Sequence, residues 1–462
     1  MYLTWTYHGE KHTFRSLWKF LCTIIRTKDI AALVQSVDAR NWSHPNGDCS
    51  DEDFGAASEE EVNLLKQAFR AARTREMANC TIDDLKVDDR SPFMALLFTQ
   101  LPNLSTMSAH LPHYDPFIDQ VVSQALLDDN ENTPVQAFRN LKVLSLVRDW
   151  ARSPKWGDSR VDYAYYKLHV GNYSGIFSFP QLETLSIFDL YIEGLGDFDE
   201  TSNGTSSLKN LTLVSHEHLA APAPEIKAIL ALPNALLNLS FYQNDCDRGT
   251  PPDEDSDPIS NAQLFSALEP HQKCLESLDV YRDCTRLWPP VHKGNVSHFG
   301  LLRGFDHLKN LRVQVEALLG GYNREPRAPF RLKDTLPFSL ESLTLYGISG
   351  LLLDYGLEEQ FREIFLSGDF PHLKSVIFED VSRFHHLMIQ PFVTKPHEAV
   401  KELCKEARVT FQVQNGRHLL KGGKQSPWFK QACRMRRSWE NKQEILTEYE
   451  DSEEDDSCGS RV

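Results

Sequence analysis

The stretch Leu275-Glu-Ser-Leu278-Asp-Val280 decides the fold, because the chain repeats its pattern seven more times. Each copy has an apolar residue, a second one three positions later and a third two positions after that. The other copies are LKVLSL (141–146), LETLSI (182–187), LKNLTL (208–213), LLNLSF (236–241), LKNLRV (308–313), LESLTL (340–345) and LKSVIF (373–378). Apolar and polar residues alternate at the end of each hexamer, as in a strand that buries one face. The chain is therefore predicted to hold a set of equivalent strands.

Between the hexamers, apolar residues fall at helical spacing and are followed by proline. Residues 226–233 and 264–270 show this arrangement, with Pro233 and Pro270 at the end of the stripe. Proline cannot continue a helix, so each stripe has a defined end. Units of 26 to 41 residues, each with one strand and one helix, are typical of a leucine-rich repeat. The sequence thus predicts an α/β leucine-rich repeat solenoid, a curved horseshoe with parallel strands on its concave face and helices on its convex face.

The solenoid is predicted to fill residues 1–413. Residues 2–7 and 34–39 have strand-like patterns before the first hexamer, and residues 409–413 form a last strand after a short helical stripe. Such an array is stabilised by stacking, because one unit buries too little apolar surface to fold alone. Residues 414–462 are predicted to be a charged extension, a basic helix followed by a disordered acidic tail.

Composition excludes several classes of protein. The formal net charge of −16 argues against a protein that coats nucleic acid or an anionic membrane. No apolar run is long enough for a membrane helix, and the N-terminus has no secretory cleavage site. Nine cysteines without a Cys-x-x-Cys pair are typical of reduced thiols. We therefore expect an intracellular protein, cytoplasmic or nuclear, with no nucleic acid and no membrane among its partners.

Four phrases resemble the fungal F-box-like leucine-rich repeat proteins. They are FRSLWKFLCTIIRTKDIAALVQSVDAR (14–40), GLLRGFDHLKNLRVQVEALLG (300–320), DTLPFSLESLTLYG (334–347) and VKELCKEARVTFQV (400–413). The resemblance spans roughly residues 1–413 and rests on residues that mostly encode packing. It implies a solenoid that recognises the substrate of a ubiquitin ligase.

The chain departs from that group at its N-terminus. Members often begin with an F-box, a helical module that opens with a Leu-Pro-x-Glu-type phrase and docks a Skp-type adaptor. No such phrase precedes Phe14, and thirteen residues cannot hold the module. Either the module is lost or the start codon lies too far downstream. A Skp-type adaptor is therefore expected as a partner only if an F-box is encoded upstream.

The sequence shows no pattern that indicates catalysis. Ser174 in Gly171-Asn-Tyr-Ser-Gly175 lacks the spacing of a nucleophile elbow. The pair His110-x-x-His113 lacks a Cys or carboxylate at metal-binding spacing, and its imidazoles are interpreted as solvated loop side chains. We expect a protein that is not an enzyme, with no cofactor and no metal.

The predicted binding surface is the concave face of the strands. Side chains alternate along a strand, so the residue between the last two apolar positions and the residue after them share that face. A column of aromatic rings beside small hydroxyls is a plausible docking surface for a protein partner. The candidate residues are Phe188, Tyr242, Asp279, Tyr281, Arg312, Gln314 and Tyr346.

Two insertions are rival surfaces. Residues 150–178 are rich in Trp and Tyr, and residues 245–258 are acidic and contain proline. Long loops in repeat proteins often carry contacts. The function expected from all these features is a non-catalytic protein–protein interaction module, similar to the substrate-recognition repeats of an F-box ubiquitin-ligase subunit. The alternative is an orphan leucine-rich repeat scaffold with no ligase connection.

Overall fold

The structure is a computed structural model, and the residues it describes share one architecture. These residues are 3–9, 11–40, 42, 58–72, 90–111, 115–127, 137–148, 168–188, 190–191, 204–215, 223–244, 259–283, 298–320, 329–347, 356–380 and 397–415. The predicted charged extension from residue 416 onward and the acidic insertion at 245–258 lie outside them.

Twelve strands form one open parallel sheet, and their order in the sheet is their order in the chain. They are β1 (Leu3–His8), β2 (Val34–Arg40), β3 (Thr106–Leu111), β4 (Val143–Arg148), β5 (Thr184–Phe188), β6 (Asn210–Ser215), β7 (Asn238–Asn244), β8 (Ser277–Asp283), β9 (Asn310–Gln314), β10 (Ser342–Gly347), β11 (Ser375–Asp380) and β12 (Thr410–Asn415). Two short strands, Leu168–His169 and Leu190–Tyr191, pair with each other outside this sheet. The α/β class and the open parallel sheet are thus confirmed.

The register aligns the hexamers with one another. Leu185 pairs with Leu211, which pairs with Leu239, and the same row continues through Leu278 and Leu311. These leucines point to the same side of the sheet and belong to one hydrophobic cluster that runs from Tyr7 to Val409. The repeated hexamers of the sequence therefore place equivalent side chains in a regular stack in the core.

Helices connect most of the strands and pack their apolar sides into the same cluster. The α-helices are α1 (Phe14–Arg26), α2 (Lys28–Leu33), α3 (Glu59–Ala71), α4 (Ser91–Thr99), α5 (Pro116–Leu127), α6 (Ala223–Ala231), α7 (Asn261–Leu268), α8 (Val315–Leu319), α9 (Leu332–Thr335), α10 (Leu357–Ser367) and α11 (Glu398–Glu406). The 3₁₀ helices are Val170–Ser178, Glu269–His271 and Leu302–Gly304. Among the described helices, none combines the length and the apolar character needed to cross a bilayer.

Local chemistry sets the helix ends. Ser58 and Ser260 each form a capping box, in which the hydroxyl accepts from the third helical N–H and that residue's side chain accepts from the cap N–H. Gly368 caps the C-terminus of helix α10, and its φ of 71° suits a residue without a β-carbon. Helix α7 ends at Leu268, and Pro270 continues into the 3₁₀ turn after it.

The described end of one predicted surface packs into the core, and residues 150–167 of that surface lie outside the described residues. The insertion at 150–178 is described from residue 168, and its 3₁₀ helix buries Tyr173 and Phe177. At Gly175 an added Cβ would lie 2.8 Å from Leu126 and 2.9 Å from Val122, so the segment packs directly on α5. These two aromatics therefore serve packing, because the turn that carries them lies against a helix.

Candidate functional site

The second face of the sheet, opposite the helices, carries three rows of side chains, and we call it the polar face. The first row holds the third residue of each hexamer, the second row the fifth, and the third row the residue that follows the hexamer. The first row is Val143, Thr184, Asn210, Asn238, Ser277, Asn310, Ser342 and Ser375, and the second is Ser145, Ser186, Thr212, Ser240, Asp279, Arg312, Thr344 and Ile377. The third is Val147, Phe188, Val214, Tyr242, Tyr281, Gln314, Tyr346 and Glu379. The first two rows are mostly half-buried, whereas the third is buried except at Gln314.

The predicted aromatic column lies in that buried third row. Phe188, Tyr242 and Tyr281 are 6%, 9% and 7% exposed, and Tyr346 is fully buried. A partner on this face would touch little of these rings. The buried rings support the polar face from below. The surface that a partner can reach consists of the first two rows.

Five of the seven predicted residues meet around Asp279, four of them through hydrogen bonds and the fifth, Tyr281, through a ring contact. The hydroxyl of Tyr242 donates to Oδ2 of Asp279 at 2.6 Å, and that of Tyr346 donates to Oδ1 at 2.7 Å. The ring of Tyr281 packs edge-on against Tyr346, with 5.5 Å between centroids. We call these five residues, together with Glu379, the arginine cluster.

Arg312 joins the cluster through two of its three nitrogens. Its Nε donates to the Tyr346 hydroxyl at 2.9 Å and lies 3.0 Å from Oδ2 of Asp279, and its Nη2 donates to Oε2 of Glu379 at 2.7 Å. The guanidinium also lies over the Tyr346 ring, 5.5 Å from its centroid. Nη1 donates no hydrogen bond to a described residue, and the side chain of Arg312 is 32% exposed. The cluster thus holds the guanidinium through Nε and Nη2 and leaves Nη1 without a hydrogen-bond partner among the described residues.

The two carboxylates share a single guanidinium unequally. Asp279 accepts from both tyrosines and lies beside Arg312, whereas Glu379 accepts from Arg312 alone. Oε1 of Glu379 is buried and has no hydrogen-bond partner among the described residues. Burial first, and then the Asp279 carboxylate, raise the pKa of Glu379 to about 7, although Arg312 opposes the change. Burial also raises the pKa of Asp279, against Arg312 and the two tyrosine hydroxyls.

The other two predicted residues lie outside this group. Phe188 is on β5, where its strand neighbours in the third row are Val147 and Val214. Gln314 ends β9, and its Nε2 lies 3.4 Å from Oε1 of Glu316. Neither one forms a hydrogen bond to the arginine cluster in the part of the chain that the structure describes.

A second charged group lies at the other end of the polar face, and sequence reasoning missed it. On β2, Arg40 donates to both oxygens of Asp38, from Nε at 3.0 Å and Nη2 at 2.6 Å. His8 of β1 pairs with Arg40 in register, and His110 of β3 lies beside them, fully buried. We call these four residues the histidine cluster.

The interpretation of His110 as a solvated loop residue is wrong. It lies in β3, where burial first, and then Arg40 and His8, lower its pKa to about 3. A signal was present in the sequence, because Leu104-Ser-Thr-Met107-Ser-Ala109 repeats the hexamer with alanine at its end. That alignment puts His110 in the third row, and Val34-Gln-Ser-Val37-Asp-Ala39 does the same for Arg40.

Among the described residues, no group of three or more His, Cys, Asp or Glu side chains has an arrangement that could hold a metal ion. Cys22, Cys274 and Cys404 are free thiols, and burial raises the pKa of Cys22 and of Cys404 to about 11. Thiols in this state are poor nucleophiles. The polar face thus offers fixed hydrogen-bond donors and acceptors as its chemistry.

Comparisons with known proteins give this chain no family. No protein-family model matches it, and none of the curated proteins compared with it matches its sequence.

Proposed function

We propose that this chain is a leucine-rich repeat solenoid that binds a protein partner on the polar face of its sheet and catalyses no reaction. The observation that carries the proposal is the contrast between the rows of that face. Two rows of short polar side chains are half-open to solvent beside a third row that fixes a guanidinium from below. Rigid, pre-positioned donors lower the entropy that a surface loses on binding.

The side chains of the open rows support a protein ligand. Serine, threonine and asparagine provide adaptable hydrogen bonds and, being short, let another backbone come close. Asn238 donates to Asn210, which donates to Thr184 at 3.0 Å, so neighbouring units hold one another's amides in place. A partner's peptide groups would find both donors and acceptors along these rows.

The resemblance to fungal F-box-like proteins extends this proposal to a particular role, the recognition of ubiquitin-ligase substrates. The rival role is that of a scaffold with no ligase connection. Capture of the tagged full chain from its source cells separates them: a co-purified Skp-type adaptor or cullin supports the ligase role, and specific partners without either support the scaffold.

The binding face is tested with the partner that such a capture identifies. Ser186 and Ser240 are half-buried residues of the second row, and replacing both by arginine places two bulky cations on the polar face. Ser123→Arg is the matched control, because Ser123 is exposed on helix α5. We expect the double variant to lose at least tenfold in affinity and the control to bind as the wild type does. Equal binding by all three proteins would contradict the use of this face.

A further inference from the structure

We propose that the segment which a partner lays across the polar face is an uncharged polar stretch of polypeptide, and that Nη1 of Arg312 donates to a neutral oxygen of that segment. This inference rests on the proposed function, because it takes the polar face as the binding surface. It adds the chemistry of the partner and names the residues that select it.

The first observation is the low charge of the two open rows. Of their sixteen side chains, only Asp279 and Arg312 are charged, and these two lie 3.0 Å apart and offset one another. In the whole chain, by contrast, 25% of the residues are charged. Most of the other side chains in the rows are serine, threonine or asparagine. The side chains of the two open rows thus carry no net charge of their own, and their groups match neutral amides and hydroxyls.

The second observation is how the charge of Arg312 is already compensated. The guanidinium faces two carboxylates, so the arginine cluster has one negative charge in excess whenever Glu379 is ionised. A third carboxylate, brought by a partner, would be repelled by the excess charge. A partner's lysine or arginine would instead have to approach the exposed side of the guanidinium itself. A carbonyl or amide oxygen avoids both conflicts and still accepts a hydrogen bond from Nη1.

The third observation is the position of Glu379, which makes it the selecting residue. Its carboxylate is fully buried below the open rows, so a partner cannot reach it and feels only its charge. Oε2 holds Nη2 of Arg312, while Oε1 has no hydrogen-bond partner among the described residues. Replacing this carboxylate by the isosteric amide would keep the shape and remove the excess charge. The remaining pair of Arg312 and Asp279 is neutral and would then accept a partner's carboxylate at Nη1.

The test uses immobilised full chain and pooled nonapeptides, acetylated and amidated at their ends, with random uncharged flanks. The central residue is Gln, Glu or Lys, and the bound fraction of each class is measured at pH 7.5 by mass spectrometry. On the wild type we expect Gln-centred peptides to be retained at least fivefold over both charged classes. On Glu379→Gln we expect the Gln-to-Glu ratio to fall to twofold or less. Arg331→Gln is the control, because Arg331 is 33% exposed and pairs with Glu363 on the helical side.

The remaining outcomes decide between this inference and the proposed function. Preferential retention of Glu- or Lys-centred peptides by the wild type overturns the inference. So does a Gln-to-Glu ratio that Glu379→Gln leaves unchanged. In either case the proposed function stands if Ser186→Arg with Ser240→Arg abolishes the retention. Retention that this double variant does not reduce, or no retention of any class, overturns both. Circular dichroism of each variant establishes that it is folded before binding is measured.

Discussion

The histidine cluster and the arginine cluster occupy opposite ends of the same face and share one motif, an arginine paired with an aspartate. At the first end one arginine, Arg40, pairs with one carboxylate, that of Asp38, and the ionisable neighbour is His110, whose pKa is lowered by burial, by Arg40 and by His8. At the second end a further carboxylate competes for Arg312. Whether the titratable neighbour of the pair is a base or an acid therefore decides how each end responds to pH. A base beside the pair loses its proton more readily, and an acid keeps it, so the two ends respond to pH in opposite directions.

The largest effect expected is the loss of Arg312. Arg312→Gln leaves two buried carboxylates without a cation, and we expect it to lower the free energy of unfolding by about 3–5 kcal/mol at pH 7. Arg40→Gln is the counterpart, and it should cost less, because it leaves one carboxylate without its cation instead of two, and that carboxylate, of Asp38, is 20% exposed. Denaturant titration measures both. Equal losses in the free energy of unfolding would show that the two arginines are equivalent and would contradict the difference between the two clusters.

The next effect is the acid sensitivity that His110 gives to the first end. Its folded pKa of about 3 lies below the value of 6.5 in an unfolded chain, so the unfolded state takes up the proton first as the pH falls. The stabilisation is complete above pH 6.5 and shrinks below it, by about 3 kcal/mol at pH 4. We expect the difference in unfolding free energy between wild type and His110→Asn to change by this amount between pH 7 and 4. Curves that run parallel would contradict the lowered pKa.

Glu379 should give the second end the opposite dependence. Its folded pKa of about 7 lies above the unfolded value of 4.5, so the folded state holds the proton longer. Stability from this group is greatest below pH 4.5 and declines as the pH rises to 7, by about 2–3 kcal/mol between pH 5 and 8. Glu379→Gln should remove that decline and be the more stable protein at pH 8. A variant with an unchanged pH profile would mean that Glu379 does not titrate in this range.

A smaller effect is expected from the tyrosines that hold Asp279. Tyr346→Phe keeps the ring but removes a donor to Asp279 and the acceptor of Arg312 Nε. A buried hydrogen bond to a charged group contributes about 1.5–3 kcal/mol, and we expect a loss in this range by denaturant titration. Tyr242→Phe removes only a donor to the same carboxylate and should cost no more. A larger loss in Tyr242→Phe would show that Asp279 is held chiefly by the tyrosine of the adjacent strand β7.

Much of the fold could be predicted because one local rule recurs along the chain. Each hexamer became a strand, and its apolar residues point into the core as their spacing indicates. Strand bounds at the ends moved by one or two residues, from 2–7 to Leu3–His8 and from 409–413 to Thr410–Asn415. The boundary of an element depends on its caps, which a periodic pattern does not contain.

The site was less predictable because its contacts cross strands that are far apart in the chain. Alternation placed Tyr242, Asp279, Arg312 and Tyr346 on one face, and the structure adds that their polar atoms converge. Asp279 and Tyr346 are 67 residues apart, and their contact requires the register of the strands between them. Alternation also assigns a face without assigning exposure, which is why buried rings could be taken for a docking surface. Likewise, no pattern in the sequence marked Glu379 as the acid in excess.

The arginine cluster also has a mechanical consequence. In an array of stacked repeats each unit touches only its neighbours, so such an array can unravel one unit at a time. Here Asp279 on β8 holds Tyr346 on β10, and Arg312 on β9 holds Glu379 on β11, so each bond steps over an intervening strand. The units that contribute β7 to β11 are thereby tied into a block. Under tension applied to the chain ends, that block would yield in a single event, whereas units outside it could peel away singly.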